Sequence, residues 1–388
     1  MNPAIVGWAH SRFGRLPEHD LESLIVQVVR EAVQDSGLEP GDIDAVFVGL
    51  FNNGFSAQDF PSSLPMQAFS ELRFKPATRY ENACATGSAA IHGALDFIRA
   101  GRGRTALVVG AEHMTHLTPI EAGQILLAAS YRKEEGSHPD GFVGVFADIA
   151  ARYSQRWGDA SNTLARIAAK NHSNGVHNPF AQFRKDLGLE FCRNVSLGNP
   201  VVSGSLRRTD CSPVSDGAAA LVITDELTSR SLYKAVAFRA AVQVNDFLPT
   251  SRRDLLQLEG AAHAWASALG QAGNTLEDLD LVETHDCFTI AELMEYEAMG
   301  LTKHGQGHIA IEEGWVYKEG RLPVNPSGGL KSKGHPIGAT GVSMHVLAAM
   351  QVCMQAGAMQ IPAAQLAGVF NMGGVGVANY VSILERTH

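Results

Sequence analysis

Long hydrophobic runs are missing from this 388-residue chain, and no apolar stretch reaches the roughly 18 residues that a membrane-crossing helix needs. Basic blocks are missing too. With a net charge of -9 and no run of five or six Lys or Arg, the sequence offers no nucleic-acid-binding stripe. Phosphate-cradling nucleotide loops do not occur, whether Gly-x-x-x-x-Gly-Lys or a strand-linked Gly-x-Gly-x-x-Gly with an acidic partner. Cysteine is sparse and irregularly placed, at positions 84, 192, 211, 287 and 353, which excludes a disulfide framework and favours free thiols in a reducing compartment. The start, Met1-Asn-Pro-Ala, lacks a charged segment followed by an apolar one. A cytoplasmic address is expected. What is present, 45% hydrophobic and 18% charged residues, is the composition of a folded enzyme large enough for two domain-sized units.

The chain echoes itself. An amphipathic run over 21–33 leads into an acidic turn over 37–44 and an apolar strand over 45–49; much later 265–270 leads into an acidic turn at 275–280 and the apolar Leu281–Thr284. Ala85–Thr86–Gly87 opens one helical run and Ala339–Thr340–Gly341 another. Each half closes on a Gly/Ala-rich entry into a strand, over 215–223 and 373–383. Such repetition signals duplication of one supersecondary unit. Continuous apolar strands such as 105–110 are typical of sheets covered by helices on both faces. The expected architecture is therefore two similar α/β halves, 1–230 and 231–388, the first lengthened by a polar insertion over about 115–205. Long insertions of this kind serve as lids or binding loops, or else as solvated excursions with helices of their own.

Three segments carry chemistry. Cys84 lies among small residues just before a helical run beginning at Ser88; the positive end of a helix dipole there favours a thiolate, although free cysteines among Ala and Ser are commonly buried hydrophobes. His335 sits between Gly334 and Pro336 in a tight turn before a small-residue helix, which holds one ring in one place; a capping or surface role is the alternative. His285 and Cys287 follow the strand-like 281–284 at i and i+2, so a continuing strand would point both to one face. A His/Cys pair is also half of a metal site, but no second His-x-x-His or Cys-x-x-Cys cluster completes one, so no metal is expected. Two thiols and two imidazoles supply a nucleophile, a base, an oxyanion donor and a proton carrier. Together they point to acyl transfer through a thioester.

Asn82–Ala83–Cys84–Ala85–Thr86–Gly87–Ser88, the Asn325–Gly341 stretch with its Gly334–His335–Pro336, and Asn371–Met372–Gly373–Gly374 resemble the signature blocks of the thiolase superfamily. His285–Asp286–Cys287–Phe288 resembles its sterol-carrier-protein-2 type. The resemblance spans essentially the whole chain and implies a duplicated thiolase fold, two halves with mixed five-stranded sheets and helices in an αβαβα order, plus an inserted loop domain. It implies that Cys84 carries the acyl group and that His335 deprotonates it and helps hold the thioester oxygen. His285 then stands where many thiolases have an oxyanion-hole asparagine. Most thiolases carry a second catalytic cysteine where Asn371 stands here; since an amide cannot shuttle a proton, the resemblance moves that role to Cys287. Backbone N–H groups of Cys84, Met372 and Gly373 are the implied oxyanion donors, since Gly permits close approach. The resemblance implies coenzyme A thioesters as substrates, with no tightly bound cofactor. Arg184 and Lys185 in the insertion are candidates for holding the coenzyme A tail. A homodimer or homotetramer is implied, with a small OB-fold protein as a further candidate partner. A non-catalytic scaffold subunit and a decarboxylating condensing enzyme are the alternatives; the intact Cys84/His285/Cys287/His335 set speaks against the first and the Gly-His-Pro block against the second. Cys192, Cys211 and Cys353 read as structural thiols. His113 and His116 fit either an acyl-pocket wall or a solvent-facing loop, and Asn325–Gly329 either a substrate-facing turn or a plain connection.

Overall fold

The computed structural model describes residues 2–387. The first half runs through strand β1 (Ala4–His10), helix α1 (Leu21–Ser36), β2 (Ala45–Gly49), β3 (Ala77–Tyr80), α2 (Thr86–Arg99) and β4 (Thr105–Glu112). The insertion follows, with α3 (Pro119–Leu126), α4 (Arg132–Glu135), α5 (Gly141–Trp157), α6 (Ser161–Gly175), α7 (Gly188–Arg193), β5 (Val201–Ser203) and β6 (Leu206–Arg207). Strand β7 (Gly217–Thr224) and helix α8 (Glu226–Ser229) close the half. The second half contains β8 (Val236–Asn245), α9 (Glu259–Ala272), β9 (Leu281–Glu283), α10 (Thr289–Ala298), α11 (Gly307–Glu312), α12 (Gly329–Lys333), α13 (Ile337–Val352), β10 (Leu366–Gly373) and β11 (Ala378–Arg386).

The helix α1 shows how local sequence sets these elements. Asp20 caps its start by accepting from Ser23 N, Gly37 ends it at a φ of 71°, and Leu21, Leu24, Ile25, Val28, Val29 and Ala32 form its buried stripe. That stripe covers β1, β4 and β7, while α9 covers β8 and β11 on the far side. Between the sheets lie α2 and α13, packed on each other. α13 is buried on nearly all sides, as a helix between two sheets must be. The layers run α1, first sheet, α2 with α13, second sheet, α9.

The strand order is β3-β2-β4-β7-β1-β8-β11-β10-β9. Each half is mixed: β3, β2 and β4 are parallel and β7 antiparallel to β4, while β9 and β10 are parallel and β11 antiparallel to its neighbours. The expected two-half layering holds, with two differences in detail among the described residues. A short antiparallel contact, Ala4 with Ala237 and Ile5 with Val236, links the edges of the two sheets into one continuous order of nine strands. The first half contributes five of these strands and the second four, the fifth position there reduced to a single bridge between Val282 and Val324. Pro323 has no N–H to extend that ladder, and Asn325 turns away at a φ of 54°.

The insertion is more helical and more buried than its polar sequence implies. The Phe146 ring of α5 stacks on Phe288 at 4.3 Å, and Asn171 on α6 is fully buried. Backbone bonds from Gln182 N to Lys333 O (2.9 Å) and from Phe183 N to Ser332 O (3.0 Å) lay the insertion along the approach to His335.

Candidate active site

Cys84 sits in the turn between β3 and α2, following Ala83 at a φ of 50°, and is 3% exposed. The Cα of Gly87 lies where any side chain would strike Val342 N (2.8 Å) and Gly338 O (2.9 Å), so glycine lets the first turns of α2 and α13 touch. Gly341 does the same from the other side, where a Cβ would meet Ser88 N at 2.4 Å. The repeated Ala-Thr-Gly is thus a packing device. It brings the Cys84 turn and the His335 turn against each other.

A ring nitrogen of His285, one of His335 and the Cys84 sulfur all lie within 4.8 Å of one another. The two imidazoles meet edge to face, centroids 5.1 Å apart. Nδ1 of His335 lies 2.6 Å from Thr340 Oγ1, whose hydroxyl donates to Pro336 O at 2.9 Å. Having spent its proton, Thr340 accepts from the ring, so Nδ1 carries the hydrogen and Nε2 keeps a free lone pair. Among the described residues that Nε2 is buried without a hydrogen-bond partner, as is Nε2 of His285. The His335 backbone N donates to Ser215 Oγ (3.1 Å), which donates to Gln182 Oε1 (2.6 Å).

Burial dominates the electrostatics. It pushes the Cys84 thiol up to about 12, against the lowering effect of a hydrogen bond from the Gly374 backbone. It holds His335 down at about 3, helped by the Lys333 ammonium, and His285 well below the usual imidazole range, helped by His335 and Lys333. Desolvation thus works against the resting thiolate expected at the helix end and favours a neutral thiol beside neutral rings. Backbone N–H groups of Gly374 and of Cys84 itself lie at the sulfur. Gly373 packs beside them, where a Cβ would meet Asn82 O at 2.4 Å.

His285 and Cys287 do not share the face of a strand, because β9 stops at Glu283. Bonds from Asp286 N to Thr284 O (3.1 Å) and from Cys287 N to His285 O (2.9 Å) coil the chain there. Asp286, fully buried, locks the coil by accepting from Leu330 N (2.6 Å), Lys331 N (3.2 Å) and Asn171 Nδ2 (2.8 Å). Cys287 is 3% exposed, and burial holds its thiol well above the ordinary value. Arg184 and Lys185 lie apart from this centre, exposed on the wall of a cleft of about 410 Å³. Gln182, Arg208 and Lys331 also line that cleft, and Gln182 links it through Ser215 to His335.

Sequence reasoning missed Asn371 and Thr340. Asn371 Nδ2 donates to Cys84 O (3.1 Å) and lies 2.9 Å from His285 Nδ1, while its Oδ1 accepts from Ser88 Oγ (2.7 Å). Thr340, one helical turn beyond the His-Pro dipeptide, was legible as a hydroxyl at the right spacing. Asn371 was legible only as a missing cysteine.

A duplicated α/β fold that closes a thiol between two imidazoles defines a thiol-dependent acyl-transfer enzyme. The chain belongs to the thiolase family: the "Thiolase, N-terminal domain" description matches residues 4–188 and "Thiolase C-terminal domain-like" residues 241–386. It is 32% identical to an acetyl-CoA acetyltransferase of Methanothermobacter thermautotrophicus over 99% of both chains. It is 30% identical to human sterol carrier protein 2, across 98% of this chain and 71% of that protein. Among solved structures, an Ltp2-ChsH2(DUF35) aldolase shares the fold with a TM-score of 0.81 at 20% identity, covering 99% of this chain and 97% of that one.

Proposed function

We propose that the chain is an acyl-CoA C-acyltransferase that cleaves 3-oxoacyl-CoA with coenzyme A, or condenses an acyl-CoA with acetyl-CoA, through an acyl group carried on Cys84. One observation carries this reading: the Cys84 sulfur lies with ring nitrogens of His285 and His335 inside 4.8 Å, and both Nε2 atoms are unpartnered among the described residues. As Cys84 attacks a thioester carbonyl, its proton passes to His335 Nε2, the nitrogen left bare by Thr340. The developing oxyanion faces His285 Nε2, a donor of the kind worth about 3–4 kcal/mol in a dry site. The departing thiolate of coenzyme A collects the proton from His335, leaving a neutral ring and an acyl-enzyme. In condensation, Cys287, reacting as its thiolate, takes the α-proton of acetyl-CoA, the resulting enolate attacks the acyl carbonyl, and Cys84 leaves as a thiolate that recovers that proton; thiolysis runs these steps in reverse.

Coenzyme A enters as substrate and leaves as product, and no tightly held cofactor is part of this scheme. In a protein of net charge -9, the cleft bounded by Arg184, Lys185, Arg208 and Lys331 is a local concentration of cations suited to its phosphates. Strand β3 ends the sheet with one unpaired edge, which fits a two-fold homodimer. A small OB-fold partner is a further proposal, supported by the likeness to the Ltp2-ChsH2(DUF35) assembly. Among the described residues no helix is long and apolar enough to cross a membrane. The free cysteines fit a reducing compartment, and on that ground we assign the enzyme to the cytoplasm. The test is direct: purified protein should consume acetoacetyl-CoA only when coenzyme A is added. Absence of turnover with an intact fold would favour the scaffold alternative.

A further inference from the structure

We propose that Asn371 is a positioning residue that holds His285 in the tautomer with its proton on Nε2, making the ring a hydrogen-bond donor and barring it from joining Cys84 and His335 as a metal ligand. The donor half of this statement rests on the acyl-transfer reading above. The tautomer and the metal exclusion do not.

The argument starts from an atom that can only accept. Cys84 O lies 3.1 Å from one end of the Asn371 amide, so that end is the NH₂. Rotating the amide would set its oxygen against that carbonyl oxygen. The other end agrees, since Oδ1 accepts from Ser88 Oγ at 2.7 Å. The second hydrogen of the same NH₂ then points at His285 Nδ1, 2.9 Å away. An amide nitrogen is no acceptor, so Nδ1 must supply the lone pair and the ring proton must sit on Nε2. Asn371 and His285 are both fully buried, and Gly341 packs against the far end of the amide, where a Cβ would meet Asn371 Oδ1 at 2.5 Å. With one end bonded to Ser88 and the other to Cys84 and His285, the amide is held in this orientation.

The consequence concerns metals. A buried Cys, His, His group with its donor atoms inside 4.8 Å has the composition of an open zinc site. Zinc needs a lone pair from each imidazole. His335 offers one at Nε2, but His285 could do so only with its proton on Nδ1, against the amide hydrogen of Asn371. Metal-binding histidines are normally backed by an acceptor on the other nitrogen, and loss of such a partner weakens a site about 10–100-fold. Here a donor stands in that place. The catalytic thiol is thereby kept available in the presence of thiophilic cations.

The test compares wild type with Asn371→Asp and Asn371→Ala, using Co²⁺ as an optical probe. A carboxylate at 371 accepts from Nδ1–H and frees the Nε2 lone pair. Asn371→Asp should therefore gain a thiolate-to-cobalt absorption band, lost again on combining it with Cys84→Ala, and bind at least about tenfold tighter than wild type. Asn371→Ala should fall between the two. Thiolysis kcat of Asn371→Asp in metal-free buffer should drop about 100-fold or more, because the oxyanion donor is gone. Wild type binding Co²⁺ through Cys84 as tightly as Asn371→Asp would overturn the proposal, as would failure of both variants to gain the band. Long-range ¹H–¹⁵N spectra of wild type need no variant: they should show His285 Nδ1 bare and Nε2 protonated, and the reverse pattern would overturn it. If no acyl-enzyme forms in wild type, the acyl-transfer reading fails while the cobalt and nitrogen results still decide the tautomer.

Discussion

His335 and Thr340 are bound to each other across one turn, ring Nδ1 to hydroxyl at 2.6 Å, and the hydroxyl's own proton is committed to Pro336 O. This pair decides which nitrogen of His335 is a base. Thr340→Val keeps the shape and removes the hydroxyl, so the ring loses its fixed tautomer and a buried N–H loses its partner. Thiolysis kcat should fall about tenfold, with KM for coenzyme A little changed. Steady-state kinetics beside a melting curve would check it; an unchanged kcat would mean that Thr340 only packs.

The pH dependence of alkylation follows from the two shifted groups. With the Cys84 thiol pushed up to about 12 and His335 held down at about 3, both are neutral from mildly acid to mildly alkaline solution. Raising the pH below 12 increases the thiolate fraction about tenfold per unit, and the thiolate is the species that reacts. Iodoacetamide labelling of Cys84, followed by mass spectrometry, should climb log-linearly between about pH 7 and 9.5. A plateau reached already in mild acid would reveal a thiolate–imidazolium pair in the resting enzyme.

Cys287→Ala separates the two thiols. Cys84 and His335 suffice for attack on a thioester, so this variant should still take an acetyl group from acetyl-CoA. Carbon–carbon bond formation and cleavage should drop about 10²–10⁴-fold for want of a positioned proton carrier. Loss of acetoacetyl-CoA absorbance at a near wild-type rate would place the proton carrier elsewhere.

Arg184 and Lys185 stand on the cleft wall well outside the catalytic cluster. Replacing both with Ala should raise KM for coenzyme A thioesters about tenfold and leave kcat nearly intact, the pattern expected when uniform substrate binding is lost. An unchanged KM for every thioester would move the phosphates to another surface.

The sequence and the structure agree most closely where a pattern is local. Strand β2 falls on Ala45–Gly49 as its apolar run predicts, and α1 starts at Leu21, where the amphipathic stripe begins. The duplication was legible because each copy repeats a helix, an acidic turn and a buried strand. Long-range geometry was not. The i, i+2 spacing of His285 and Cys287 suggested a shared strand face, but the chain coils there because Asp286 is held by backbone N–H groups of Leu330 and Lys331, more than forty residues on. The dipole argument for Cys84 used only its neighbours in sequence, whereas its protonation is set by burial between two halves that the sequence does not display as touching. What Asn371 does was hidden for the same reason: its partners are Ser88, Cys84 and His285, each far away along the chain.

Intact-mass analysis after mixing with acetyl-CoA tests the central claim most directly. Wild type should gain one acetyl group, mapped by peptide analysis to Cys84 and released by added coenzyme A, and Cys84→Ala should gain none. Acetylation that persists in Cys84→Ala, or that maps to Cys287 in wild type, would contradict the account.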